Sequence, residues 1–508
     1  MANWSYQRLA TNVPSPKSWR VTTIFCGTAR RRLIVITVGL FFILGSLVAH
    51  PTTRGYGKKL YHDTFVDDSV PVDESAPPLS PHDKVIALGP PHYDLIRDYE
   101  KNLPQHDLNL PFPEGKTGRY VKFSNQIRFL GWNNCFNEVL MNAHLAYMSK
   151  RAYVFQDYVW APEHYPWPQE QWYGDFPRTP LNAIISGPTA GGLWEAGDDA
   201  PRSITEAWFD VVCPQAERRI INTREVKPAI MEAPGPVVFE TWRKLLHDAP
   251  ERCIEIQAAS GEEDSFAQTF DLRLWGAKDR ITPLWDSFVK SPTSRLLGTS
   301  PLVNSAIDRN EYLFHPHGPR PPHPVVRNPW ERMMAMHLRR GDYERHCQGL
   351  AVLNPGFYSW NLLDFLPDQY TPPPGGWTEE NTAIFMPHCW PSPEQIVEKV
   401  RKSRADYVAA SPQGGVQRTL DIMYLLTNDK SEFLDNLVQA LKDDGWHTIR
   451  TSRDIVLDQE QTDVSMAIDM DIARRAAVFV GNGFSSFTSN IVHRRLKDGK
   501  EPISIRFF

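Results

Sequence analysis

The chain has 508 residues, 41% hydrophobic and 23% charged, which suits a globular protein of more than one domain and excludes a mostly disordered chain. Its 55 basic and 60 acidic residues leave a net charge of −5, which argues against a nucleic-acid binder, because phosphate neutralisation needs clustered Lys and Arg. Six cysteines are too few for a disulfide-built mini-protein, and 43 prolines point to long loops or a stem.

The first element is an apolar, uncharged run over 33–49, preceded by Arg30, Arg31 and Arg32, with no acidic residue before Asp63. At a helical rise it spans about 26 Å, enough for a thin secretory-pathway bilayer. By the positive-inside rule, 1–32 is a cytosolic tail, 33–49 a type II transmembrane anchor, and everything beyond His50 lumenal, in the Golgi or endoplasmic reticulum. A cleaved signal peptide fits less well, because Leu47 is bulky where a small residue is wanted. A mitochondrial presequence would share the Arg-rich tail but not so continuous an apolar block.

This topology leaves Cys135, Cys213, Cys253, Cys347 and Cys389 in an oxidising space. His346-Cys347 and His388-Cys389 could be read as four zinc ligands, but structural zinc sites space paired ligands by two to four residues. A Cys347–Cys389 disulfide is the expectation. Pairing of Cys213 with Cys253 is open.

Residues 50–115, rich in Pro, Asp, Ser and His, read as a semi-extended stem. Order is expected from Tyr120. Tyr120-Val-Lys-Phe123 alternates like a strand, 131–134 turns, Phe136, Leu140, Ala143 and Tyr147 follow at helical spacing, and 152–155 is a second strand, which together make a βαβ unit. The Pro- and Trp-rich stretch 160–172 reads as loops, and 319–324 as a linker, since several prolines exclude helix and central strand. Beyond it, strands are expected at 332–338, 422–426 and 478–480, with helices at 393–404 and 466–477 between them. The pattern implies an α/β protein with two Rossmann-like domains, 116–325 and 326–508, facing a cleft.

Three turns carry candidate chemistry. His337-Leu338-Arg339-Arg340-Gly341-Asp342 follows a hydrophobic strand, so its polar groups emerge where α/β sheets bind ligands. Arginine stays charged and can donate two parallel bonds to a phosphate. An Arg-Asp surface pair is the plainer alternative. In 480–487, two glycines end a strand and a helix opens at Ser485 or Ser486, whose unpaired amides welcome an anion, although the serines also suit simple capping. Asn134, with Asn133, stands at the first βα turn, as a helix cap or as a phosphate contact.

Together these pieces resemble the protein O-fucosyltransferases. The longest match is Ala477-Val-Phe-Val-Gly-Asn-Gly-Phe-Ser-Ser-Phe-Thr488, and His337-Leu338-Arg339 matches that family's His-Leu-Arg motif. Asn134, in a turn before a helix and Lys150-Arg151, matches its N-terminal asparagine near the phosphates, although Asn133 stands where the family has glycine. The resemblance implies a GT-B type glycosyltransferase that uses GDP-fucose without a metal or other cofactor. It implies that Arg339 is catalytic, binding the β-phosphate. Asn134, His337, Asp342, Asp469, Ser485, Ser486 and Phe487 would complete the nucleotide-sugar site. Segment 160–330 matches nothing in that family. Arg340-Gly341-Asp342 is closer to its thrombospondin-repeat branch and 485–488 to its EGF-repeat branch, so the acceptor, protein or glycan, does not carry over.

Asp469-Met-Asp471 is an Asp-x-Asp tripeptide, but on a helix residues two apart point in different directions, so no metal is assigned. Glu138, one helical turn beyond Asn134, is the candidate catalytic base, with a structural Glu138 as the alternative. Two other functions remain open: a non-catalytic lumenal lectin or scaffold on the same fold, and a transferase using another nucleotide sugar.

Overall fold

A computed structural model describes residues 85–258, 268–315, 328–341, 343–411 and 417–508. The expected anchor 33–49, the tail before it, the linker 319–324 and Asp342 lie outside the described residues. Among the described residues, no helix is long and apolar enough to cross a membrane.

Twelve strands are described: β1 Tyr120–Phe123, β2 Ala152–Phe155, β3 Ile185–Ser186, β4 Ile204–Thr205, β5 Arg219–Asn222, β6 Cys253–Gln257, β7 Gly298–Thr299, β8 Met333–Leu338, β9 Ile422–Thr427, β10 Thr448–Thr451, β11 Val478–Gly481 and β12 Ile505–Phe507. The described helices of eight residues or more are α1 Asp94–Lys101, α2 Trp132–Met148, α3 Gly235–Asp248, α4 Pro301–Asn310, α5 Tyr343–Leu353, α6 Glu379–Cys389, α7 Pro393–Ala409, α8 Glu432–Asp443, α9 Ser465–Arg475 and α10 Ser486–Lys497.

Two five-stranded sheets result, ordered β4-β2-β1-β6-β5 and β10-β9-β8-β11-β12, and every pairing in both is parallel. Parallel strands need crossover connections, which cover both faces of a sheet, so central strands read as unbroken apolar runs. β8 is such a run: all six residues of Met-Met-Ala-Met-His-Leu are buried. Met334, Met336 and Leu338 join Ile396 and Val400 of α7 and Leu434, Leu437 and Leu441 of α8. Met333 and Ala335 face the other way, into a core with Ile468 and Ile472 of α9 and Ile491 and Val492 of α10. That second core also takes in Val121 and Phe123 of β1 and most of α2, so the two sheets share one hydrophobic interior.

In the second sheet the connections reverse direction at the paired strands β8 and β11: the chain runs from β8 outward to β9 and β10, then returns to β11 on the other side. In the first sheet the corresponding reversal lies at the paired strands β1 and β6. Such reversals leave a crevice at the carboxyl ends of the strands.

The stem reading of 50–115 is corrected over its described part. Tyr93 and Leu103 are buried, and α1 lies between them. The Tyr93 hydroxyl donates to the Glu460 carbonyl and the Asp463 carboxylate, each at 3.2 Å, while Trp167 Nε1 donates to the Ile86 carbonyl at 3.1 Å. Gln459 donates to the carbonyls of Leu88 and Gly89 at 3.1 and 3.0 Å. Polar composition hid this order because a few well-placed aromatic anchors suffice to fix an otherwise polar strap.

The expected Cys347–Cys389 pairing is a disulfide, Cys213 and Cys253, whose pairing the sequence left open, form a second, and Cys135 is a buried thiol. The neighbouring histidines have other partners: His346 packs on the Tyr343 ring and His388 Nδ1 meets the Phe508 carbonyl at 2.7 Å.

Candidate functional site

The carboxyl ends of β8, β9 and β10, with the connections that follow β1 and β11, open into one cavity of about 1970 Å³. Its volume exceeds the usual range for a single small-molecule pocket, about 300–1,000 Å³.

From β8 comes Arg339, an exposed side chain on the cavity wall. Gly341 turns the chain at a positive φ of 71°, a conformation that costs glycine little. The turn is pinned by Asn428 at the end of β9, whose Oδ1 accepts from the Arg340 amide at 3.1 Å while its Nδ2 donates to the Arg340 carbonyl at 3.2 Å. His337 also lines the cavity. Its Nδ1 lies 3.2 Å from Thr488 Oγ1 and its ring 4.7 Å from that of Phe487. Burial, with Arg339 nearby, pushes its pKa down to about 3, so the imidazole is neutral at physiological pH and acts through hydrogen bonds rather than charge.

From β11 the chain passes through Gly481-Asn482-Gly483 to α10. A Cβ on Gly483 would stand 2.3 Å from the Phe357 ring, so only glycine allows this approach. Asn482 Nδ2 donates to the Cys389 carbonyl at 2.8 Å and its Oδ1 accepts from the Phe484 amide at 3.0 Å, which fixes the turn. Ser485 caps α10, its hydroxyl accepting from the Phe487 amide at 3.2 Å. Ser485, Ser486 and Phe487 all line the cavity, so the amide-bearing, partially positive end of a 12-residue helix opens into it.

The start of α2 also lines the cavity, through Gly131, Asn133 and Asn134. Asn490 of α10 donates to the Asn133 carbonyl at 3.0 Å and lies 3.2 Å from its side-chain oxygen, which ties the two helix starts together. Arg151, part of the Lys150-Arg151 pair after α2, is buried and donates to the carbonyls of Leu246 and Ala249 at 2.7 and 2.9 Å, so its work is structural.

Glu138 is not a cavity residue, which corrects its assignment as a catalytic base. Helix α2 is buried on every side from Cys135 to Ala146, so one turn from Asn134 leads into the core. The Glu138 carboxylate accepts from the Ile127 amide at 2.8 Å, and burial raises its pKa to about 8.

Asp469 and Asp471 divide as the helical period requires. Asp469 lines the cavity, accepting from the Tyr424 hydroxyl and from Ser452 Oγ at 2.7 Å. Asp471 is fully buried away from it, among Arg474, Arg475 and Arg494. The sequence reading missed Ser452, Tyr424 and Asn428; of these, Ser452 follows Thr451, which opens a short capping box with Asp454 that was legible in the sequence. Among the described residues, no group of three or more His, Cys, Asp or Glu is placed to hold a metal ion.

Burial raises the Asp469 carboxyl to about 6, the two hydroxyl donors acting against the rise. A folded pKa above the unfolded value near 3.9 means that the charged form costs stability as pH climbs through about 6 and costs nothing below about pH 4. Asp469→Asn is therefore expected to be more stable than wild type by up to about 3 kcal/mol at pH 8, with the gap closing near pH 4. Thermal melts at the two pH values check this; a gap of equal size at both would show that the carboxyl is not strained by burial.

No family model matches the chain, and no curated protein does. Similar solved structures include POFUT1 in complex with GDP-fucose, at 15% identity and TM-score 0.45, covering 77% of this chain and 97% of that one. POFUT1 in complex with GDP aligns at 16% identity and TM-score 0.44, over 77% and 99% of the two chains. The fucosyltransferase NodZ from Bradyrhizobium aligns at 14% identity and TM-score 0.31, over 73% and 92%. All of these TM-scores lie below 0.5.

Proposed function

We propose that the chain is a glycosyltransferase of the GT-B type that transfers fucose from GDP-fucose, with inversion, to a hydroxyl of a protein or glycan acceptor. The observation that carries this reading is the convergence of Arg339, the Ser485–Ser486 helix start and Asn134 on one cavity. As the sugar leaves, negative charge builds on the β-phosphate. A fixed guanidinium and oriented amides stabilise that charge without having to reorganise during the reaction. Charge neutralisation falls to Arg339 and the helix start, and the reading assigns no metal or cofactor. Asp469, an acceptor-only group when ionised, suits the donor-rich edge of a guanine base. The 33–49 segment would hold the enzyme as a type II protein of the Golgi or endoplasmic reticulum, with the cavity lumenal.

Thermal shift of the full-length chain against GDP, UDP and CMP tests the donor, because a ligand at 100 times its Kd stabilises by about 2.7 kcal/mol. GDP alone is expected to raise Tm, and GDP-fucose to be slowly hydrolysed. Equal response to all three nucleotides would overturn the guanine assignment. GDP binding without release of fucose would leave a binding protein on this fold.

A further inference from the structure

Arg339 projects from a turn, where a long side chain has many rotamers, yet a diphosphate grip needs one. The Arg339 guanidinium carbon lies 5.8 Å from the centroid of the Tyr343 ring. That ring in turn packs on His346, centroids 4.8 Å apart and 33° between planes. Tyr343 and His346 sit three residues apart, on one face of α5, and all three side chains line the cavity. Cys347, beside His346, is buried and disulfide-bonded to Cys389, whose carbonyl receives the Asn482 amide. One covalent hub thus supports both the helix under Arg339 and the turn that leads into α10.

We infer that Tyr343 is a positioning residue for Arg339: its ring face, backed by His346, orients the guanidinium toward a bound diphosphate. This rests on the donor site proposed above. An aromatic face attracts the cation through its quadrupole within about 6 Å and takes none of its N–H donors, whereas a carboxylate in the same place would occupy them and cancel the charge. The stack therefore fixes direction without itself occupying an N–H donor.

The test uses the full-length chain with inorganic diphosphate as the binding probe and GDP-fucose turnover as the second readout. Tyr343→Leu is expected to weaken diphosphate by about two- to fivefold, the strength of an exposed cation–ring contact. It should lower kcat by about tenfold or more, because misorientation is felt most in the transition state. Tyr343→Phe, which keeps the ring, restores both to within about twofold. In an Arg339→Ala background, Tyr343→Leu changes nothing further. Tyr343→Met serves as the second apolar replacement if the Leu variant unfolds. The inference is overturned if Arg339→Ala loses diphosphate while Tyr343→Leu keeps wild-type values, or if the Leu loss persists without Arg339. Wild-type protein that neither binds diphosphate nor cleaves GDP-fucose overturns the donor site itself and this inference with it.

Discussion

Arg339→Ala is expected to leave unfolding within about 0.5 kcal/mol of wild type and to lower turnover at least 100-fold, while Arg340→Ala does the reverse, losing about 3 kcal/mol of stability. The two arginines are neighbours in sequence, and the pleat separates them. Leu338 and Arg340 continue the face of β8 that packs on α7 and α8, and His337 and Arg339 the face toward α10. Arg340 is 4% exposed, with its guanidinium 4.3 Å from the Trp390 ring and 3.9 Å from that of Phe433, and it donates to the Pro391 carbonyl at 2.5 Å. Arg339 is exposed on the cavity wall, so truncating it removes little packing. Denaturation and turnover measured on the same two variants separate the roles. Near-normal turnover in Arg339→Ala removes that residue from the mechanism; a stable, inactive Arg340→Ala exchanges their assignments.

What the sequence disclosed follows from where the physics is local. Buried parallel strands are continuous apolar runs, so 332–338, 422–426 and 478–480 were legible to within a residue or so of β8, β9 and β11. The turns after β8 and β11 were legible too, because glycine, arginine and serine at strand ends leave a local signature. The first sheet was harder. β4 has two residues, too short for any periodicity, β5 is Arg-Ile-Ile-Asn, which does not alternate, and β6 lies between β1 and β5, which puts the last two strands in reversed order relative to the second sheet. Glu138 failed for a related reason: helical spacing gives direction around an axis, but not whether that direction ends in solvent or in the core. The clamp on Asp469 joins Tyr424, Ser452 and Asp469 from three elements, a meeting that only the tertiary fold creates.

Asp471→Asn is expected to cost about 3–5 kcal/mol at pH 7, because it leaves the buried Arg494 guanidinium without its counter-charge. Asp471 is fully buried, with Arg474 at 2.7 Å, Arg475 at 2.8 Å and Arg494 at 3.1 Å, and it also receives the Thr299 hydroxyl of β7. Burial works against its charge, yet the three arginines hold its carboxyl well below the usual carboxylate range. The sign follows from that depression: the stabilisation is complete above the unfolded value near 3.9 and is lost as pH falls toward the lower folded value. Urea denaturation from pH 7 to pH 3 should therefore show a wild-type advantage that is flat above about pH 5 and shrinks in acid. A loss below about 1 kcal/mol at pH 7, or one that does not shrink, would mean that the arginines find other partners. Asp469 and Asp471 stand about 200° apart around α9, so the brace and the cavity carboxylate are mechanically close but face different surroundings. GDP affinity per folded molecule should then survive Asp471→Asn, which distinguishes a brace from a ligand contact. That separation lets one helix carry a carboxylate destabilised by burial on its cavity side and a strongly ion-paired one on its core side, the second offsetting the first.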